Sequence, residues 1–138
     1  MPTSKSRKKA YKPRLIRIPM MPSLRDEFAL NAYAALTTLQ QRPSVEAWSV
    51  LASIFNVVQI AIKDDAKFSD MARLINSGAG VMNAIYTKID SGLHLRLDEF
   101  GAVRNAVQAV DVVLPSLDLT SIYLAQKALD VAHRMEAV

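Results

Sequence analysis

Residues 44–63 constrain the fold more than any other stretch. They read S-V-E-A-W-S-V-L-A-S-I-F-N-V-V-Q-I-A-I-K. The polar residues Glu46, Ser49, Ser53, Asn56, Gln59 and Lys63 recur every three or four positions, so on a helix they form one narrow stripe. Val45, Trp48, Val50, Leu51, Ile54, Phe55, Val57, Val58, Ile60 and Ile62 fill the rest of the circumference together with alanines. A helix that is apolar over most of its surface has to be enclosed by other elements. The stretch therefore predicts a central helix with a bundle around it. Its apolar surplus raises one question, whether Trp48, Phe55 and Ile62 are covered by the body of this chain alone, by the segment at residues 15–21, or by a partner.

The flanking segments supply the surrounding helices. Leu24, Phe28, Ala32, Leu36 and Leu39 share one face of a helix over residues 24–40, with Ser23 as its cap and Asp26 and Glu27 in its first turn. Arg42-Pro43-Ser44 breaks the chain, and Ser44 caps the central helix. Over residues 66–90, Phe68, Met71, Ile75, Gly78, Met82, Ile85 and Ile89 repeat at alternating spacings of three and four. Gly78 and Gly80 fall inside that helix. Because Gly78 lies on the apolar stripe, it marks a close approach of another backbone; a break at Asn76-Ser77-Gly78 is the alternative. Ser91-Gly92 ends the helix. A fourth helix extends to Leu114 with the stripe Phe100, Val103, Val107, Val110 and Leu114, and Pro115 stops it. Ile122, Leu124, Ala125, Leu129 and Ala132 define a last helix after a turn at residues 117–120. No alternating β pattern occurs. The expected fold is all-α: a single bundle of about five helices around the central apolar helix, with an extended basic N-terminal arm. With 138 residues, of which 51% are apolar, one domain with a substantial core is expected.

The arm covers residues 1–22 and the bundle residues 23–138. The arm holds Lys5, Arg7, Lys8, Lys9, Lys12, Arg14 and Arg17 and no acidic residue. The remaining 10 Lys and Arg face all 13 Asp and Glu, so the net charge of +4 belongs to the arm, and the body is mildly acidic. Prolines 2, 13, 19 and 22 keep the arm from forming a continuous helix. Residues 15–21, L-I-R-I-P-M-M, are apolar enough to strap onto the body; a linker with a few adventitious contacts is the equal alternative. The cations are suited to phosphates, and Tyr11 offers a ring for stacking on a base. The same arm suits an acidic protein surface, so DNA or RNA and an acidic protein are both candidate partners. A solubilising tail is the bland alternative.

Chemistry is sparse elsewhere. No cysteine exists, and the two histidines, His94 and His133, are far apart in the chain. His94 lies in a loop without a sequence-evident partner, and His133 suits the dipole at a helix end. Asp64-Asp65 and Asp98-Glu99 are adjacent pairs whose side chains diverge. Ser77-Gly78-Ala79-Gly80 lacks any phosphate-loop form. No catalytic residue, cofactor or metal site is expected, and an enzyme is not. Glu46, Asn56, Gln59 and two serines interrupt the longest apolar run, and no secretory leader is evident, so no membrane span and a cytoplasmic location are expected.

Lys-Lys-Ala-Tyr-Lys-Pro-Arg at residues 8–14, the proline-broken strap, Trp48 with Leu51, and Met82-x-x-Ile85-Tyr86 followed by Gly92 give the chain a further character. In these features it resembles short helical bacteriophage and prophage proteins with a basic N-terminal tail. The resemblance implies a bacterial host cytoplasm and an interaction role, and it carries over no site residue. The leading expectation is a non-enzymatic interaction or regulatory protein whose basic arm engages an acidic partner. The alternatives are an oligomerising assembly protein, including a homodimer, and a small ligand-binding bundle with Asn56, Gln59 or His94 lining a closed pocket.

Overall fold

The computed structural model describes residues 18–136. Five α-helices follow in order: α1 (Pro22–Gln41), α2 (Val45–Ile62), α3 (Ser69–Asp90), α4 (Leu97–Val113) and α5 (Leu119–Glu136). Short 3-10 turns at Ala66–Phe68 and Leu114–Ser116 lead into α3 and out of α4. No strand forms among the described residues; one isolated antiparallel bridge joins Pro19 to Asp118. The all-α bundle expected from the periodicities is the architecture found.

Helix α2 is the hub. It packs against α1, α3 and α5 and touches α4. Its start is set by Ser44, whose hydroxyl accepts the Ala47 N–H at 3.2 Å. Leu51, Phe55, Val58 and Ile62 are sealed from solvent, while Glu46, Ser49, Ser53 and Asn56 stay exposed. Phe55 and Ile62 are thus covered by this chain alone. Trp48 is half-buried, donates its indole N–H to the Met82 carbonyl at 2.8 Å, and meets Tyr86 edge-on at 4.8 Å. One correction concerns membrane length. With mean hydropathy 1.6 over 18 residues, α2 meets the length and composition of a membrane-crossing helix, so its polar interruptions do not exclude a span. Seven of its 18 residues are buried by the described chain.

The most extensive helix pair is α3 with α4. It closes at Gly78, where a side chain would run into the Ala106 methyl and approach the Ala102 carbonyl. Gly78 is therefore a close-packing glycine, and α3 continues unbroken through it. Helix α3 ends in a Schellman motif. Gly92 takes φ 74°, its N–H reaches the Ile89 carbonyl at 3.0 Å, and the Leu93 N–H reaches that of Lys88 at 2.8 Å. Ile75, Met82, Ile85 and Ile89 of the expected stripe are buried, as are Val103, Val107, Val110 and Leu114 of the next.

Two expectations change. Helix α1 begins at Pro22 with Met21 at its cap, so Ser23 lies inside the first turn and caps nothing. Asp26 and Glu27 consequently fall outside that turn, and Leu24 is exposed. A proline at the first helical position has its φ already set and has no N–H to leave unpaired, which favours the earlier start. Helix α5 lies at the edge of the bundle, mainly on α2. Only Ala125 of its expected stripe is buried; Ile122 and Leu129 are half-covered, and Leu124 and Ala132 are exposed.

Candidate functional site

All eight residues of the expected binding arm, Lys5, Arg7, Lys8, Lys9, Tyr11, Lys12, Arg14 and Arg17, lie outside the described residues. What the structure describes is the point where the arm joins the body. Ile18 accepts from the Leu119 N–H at 2.8 Å and donates its own N–H to the Thr120 hydroxyl at 3.1 Å. Met20 is buried. Asp118 accepts the Ser121 N–H at 2.7 Å and so caps α5 directly beneath this strap. Residues 18–20 of the apolar segment are thus fastened across the α4–α5 junction.

A second polar cluster joins the end of α3 to the start of α4. Lys88 Nζ lies 2.9 Å from both carboxylate oxygens of Glu99, and Glu99 also accepts the Arg96 N–H at 2.9 Å. Arg96 in turn pairs with Asp98 at 3.1 Å. The Arg96 N–H first, and then the Lys88 ammonium, hold the Glu99 carboxyl below the usual carboxylate range. The Arg96 guanidinium does the same for Asp98. These contacts satisfy a helix start and tie two helices together. They account for Asp98-Glu99 as structure.

His94 is exposed and borders a surface hollow of about 190 Å³ with Leu39, Leu95 and Phe100. The Asp64-Asp65 turn borders a shallow hollow of about 510 Å³ at the α2–α3 connection. No group of three or more His, Asp or Glu stands together among the described residues. Nor is any polar side chain buried among them.

Asn56 and Gln59 instead border an open groove of about 310 Å³ between α2 and α3. Asn76, Gly80 and Asn83 form its α3 side, and Trp48 closes one end of the row on α2. Gln59 donates to Asn76 across the groove at 2.7 Å. Sequence reading identified Asn56 and Gln59 but missed Asn76 and Asn83. The available signal was their spacing of seven, two turns apart on one side of α3. The register that sets them opposite Asn56 and Gln59 belongs to helix packing.

No family model matches the chain, and neither a curated protein nor a solved structure does. Its function has to be argued from its own residues.

Proposed function

We propose that the chain is a non-enzymatic interaction protein that engages nucleic acid through its basic arm, with the helical bundle as the scaffold that carries it. Lys5, Arg7, Lys8, Lys9, Lys12, Arg14 and Arg17 neutralise phosphates, and Tyr11 stacks on an exposed base. The observation that carries the reading is the charge split: 7 cations and no acid lie in the first 17 residues, against a body with 10 cations and 13 acids. The strap at Ile18–Thr120 supports it further, because it fastens the chain just after the last cation of the arm.

The test compares the full chain with a variant lacking residues 1–14, on mixed-sequence DNA and RNA at low salt. Binding of the full chain and its loss in the deletion are expected. Binding retained by the deletion, or absent from both, contradicts the reading. Tight binding to an acidic protein with none to nucleic acid transfers the role to a protein partner.

One observation favours a second reading, assembly through self-association. Leu124, Ala128, Val131 and Met135 follow each other at spacings of four, three and four on α5, and all are exposed. That is the spacing of a helix-pairing seam. Light scattering at high protein concentration decides it. A dimer abolished by Val131→Lys supports self-association, and a strict monomer removes it.

A further inference from the structure

Helices α1 to α4 are tied to one another by side-chain hydrogen bonds as well as by apolar packing. Tyr33 of α1 donates to Asp111 of α4 at 3.1 Å, Trp48 and Gln59 join α2 to α3, and Lys88 of α3 reaches Glu99 of α4. Helix α5 differs. Among the described residues, its side chains over residues 122–135 make no hydrogen bond or ion pair to another element; Gln126 pairs with Asp130 and Lys127 lies over the Tyr123 ring, both within the helix. The contiguous core repeats the division. Its buried residues come from α1 to α4 and the turn at residues 114–117, and none from α5 or the strap. Ala125 and Met20 are buried outside it, and of α5 only Ile122 packs against it, from a half-covered position.

The polar bonds between α5 and the rest of the chain lie instead at its first turn, and the strap makes them. The Leu119 N–H donates to the Ile18 carbonyl, the Thr120 hydroxyl accepts the Ile18 N–H, and Pro19 bridges to Asp118. Met20, two residues on, is buried and roots the strap in the bundle. Residues 118–120 join the buried Leu117 to the helix, so the strap closes over the joint about which α5 would swing. An element with few buried apolar contacts opens at a lower free energy than the whole domain. When shut, α5 lies on α2, the most apolar of the five helices. We propose that α5 is a lid over α2 and residues 18–20 its latch, and that the two open as one unit while α1 to α4 stay packed. The open form presents the apolar surface of α2 that the lid covers. The device does not depend on the arm's binding nucleic acid.

Native-state hydrogen exchange on the full chain tests this. A helix without tertiary packing is marginal in water, so the amides of residues 124–132 exchange each time the lid opens. They are expected to exchange at least about tenfold faster than those of Ile85 and Val107, which wait for global unfolding. Thr120→Val removes the latch acceptor and keeps the branched shape, and it is expected to speed exchange in α5 about fivefold, the worth of one hydrogen bond. Gly78→Ala weakens the α3–α4 contact, which stays intact in the open form. It is expected to speed exchange at Ile85 and Val107 and to leave that of α5 unchanged. Equal rates for α5 and the α3–α4 core in the wild type overturn the proposal. So does α5 exchange that Thr120→Val leaves unchanged, or that Gly78→Ala speeds as much as it speeds the core.

Discussion

Gly78 and Gly80 share one helix, yet a methyl group added to each should move stability in opposite directions. At Gly78 the new methyl overlaps that of Ala106, which is fixed to its backbone and has no rotamer to escape into. Overpacking of this kind costs about 1–3 kcal/mol, against a helix-propensity gain of about 1 kcal/mol. Gly78→Ala should therefore lower the urea midpoint. Adding Ala106→Gly should recover part of the loss. Gly80→Ala meets open space and should gain up to about 1 kcal/mol. Urea denaturation of the variants reads both signs. Glu99 offers a test by pH. Its carboxyl is held low by the Arg96 N–H and by Lys88, so through the carboxylate titration range the group binds fewer protons when folded than when unfolded. The stabilisation is complete at neutral pH and fades as pH falls through the lowered carboxylate range. Glu99→Gln should be less stable than wild type at pH 7, and the gap should close in acid. A gap that persists in acid would assign the loss to packing instead.

Among the elements, legibility follows how completely each helix is enclosed. Helices α3 and α4 bury one face against each other, so the period of Ile75, Met82, Ile85 and Val103, Val107, Val110 reads directly as core. Helix α5 has only α2 as its main neighbour, so Leu124 and Ala132, apolar and correctly spaced, are left outside. Apolar spacing shows which face is able to be buried, and the number of neighbours decides whether it is. At the start of α1 the misreading had a local cause. Ser23 resembles a cap, but Pro22 already fits the first helical position and takes it. The strap was legible in the apolar character of residues 15–21, while its anchor at Leu119 and Thr120, about a hundred residues away, was not. Met20→Ala should cost about 2 kcal/mol, the low end for a buried methionine, because the site is at the edge of the core. Thermal melting measures this. An unchanged transition would show that the strap is not part of the folded unit.

For the whole molecule, the basic arm and the amide-lined groove differ in how they are encoded. The basic arm is a matter of composition, and seven cations without one acid are visible in any reading of residues 1–17. The amide groove depends on register between two helices. Asn76 and Asn83 look like ordinary exposed polar residues until α2 brings Asn56 and Gln59 alongside. The sequence left open what covers Trp48, and its bond to the Met82 carbonyl comes from the same packing. The bundle as a whole is mildly acidic, so by charge alone it should repel the polyanion that the arm attracts. On the proposed function the arm is the sole source of affinity for nucleic acid, and that is the central claim. Its most direct test is the salt dependence of binding. If the 7 cations each neutralise one phosphate, log K against log salt should fall with a slope of about −6 on duplex DNA and about −5 on single strands. Removing residues 1–14 takes away Lys5, Arg7, Lys8, Lys9, Lys12 and Arg14 and should flatten that slope almost to zero. A steep slope that survives the deletion would place the phosphate contacts on the bundle and contradict the account.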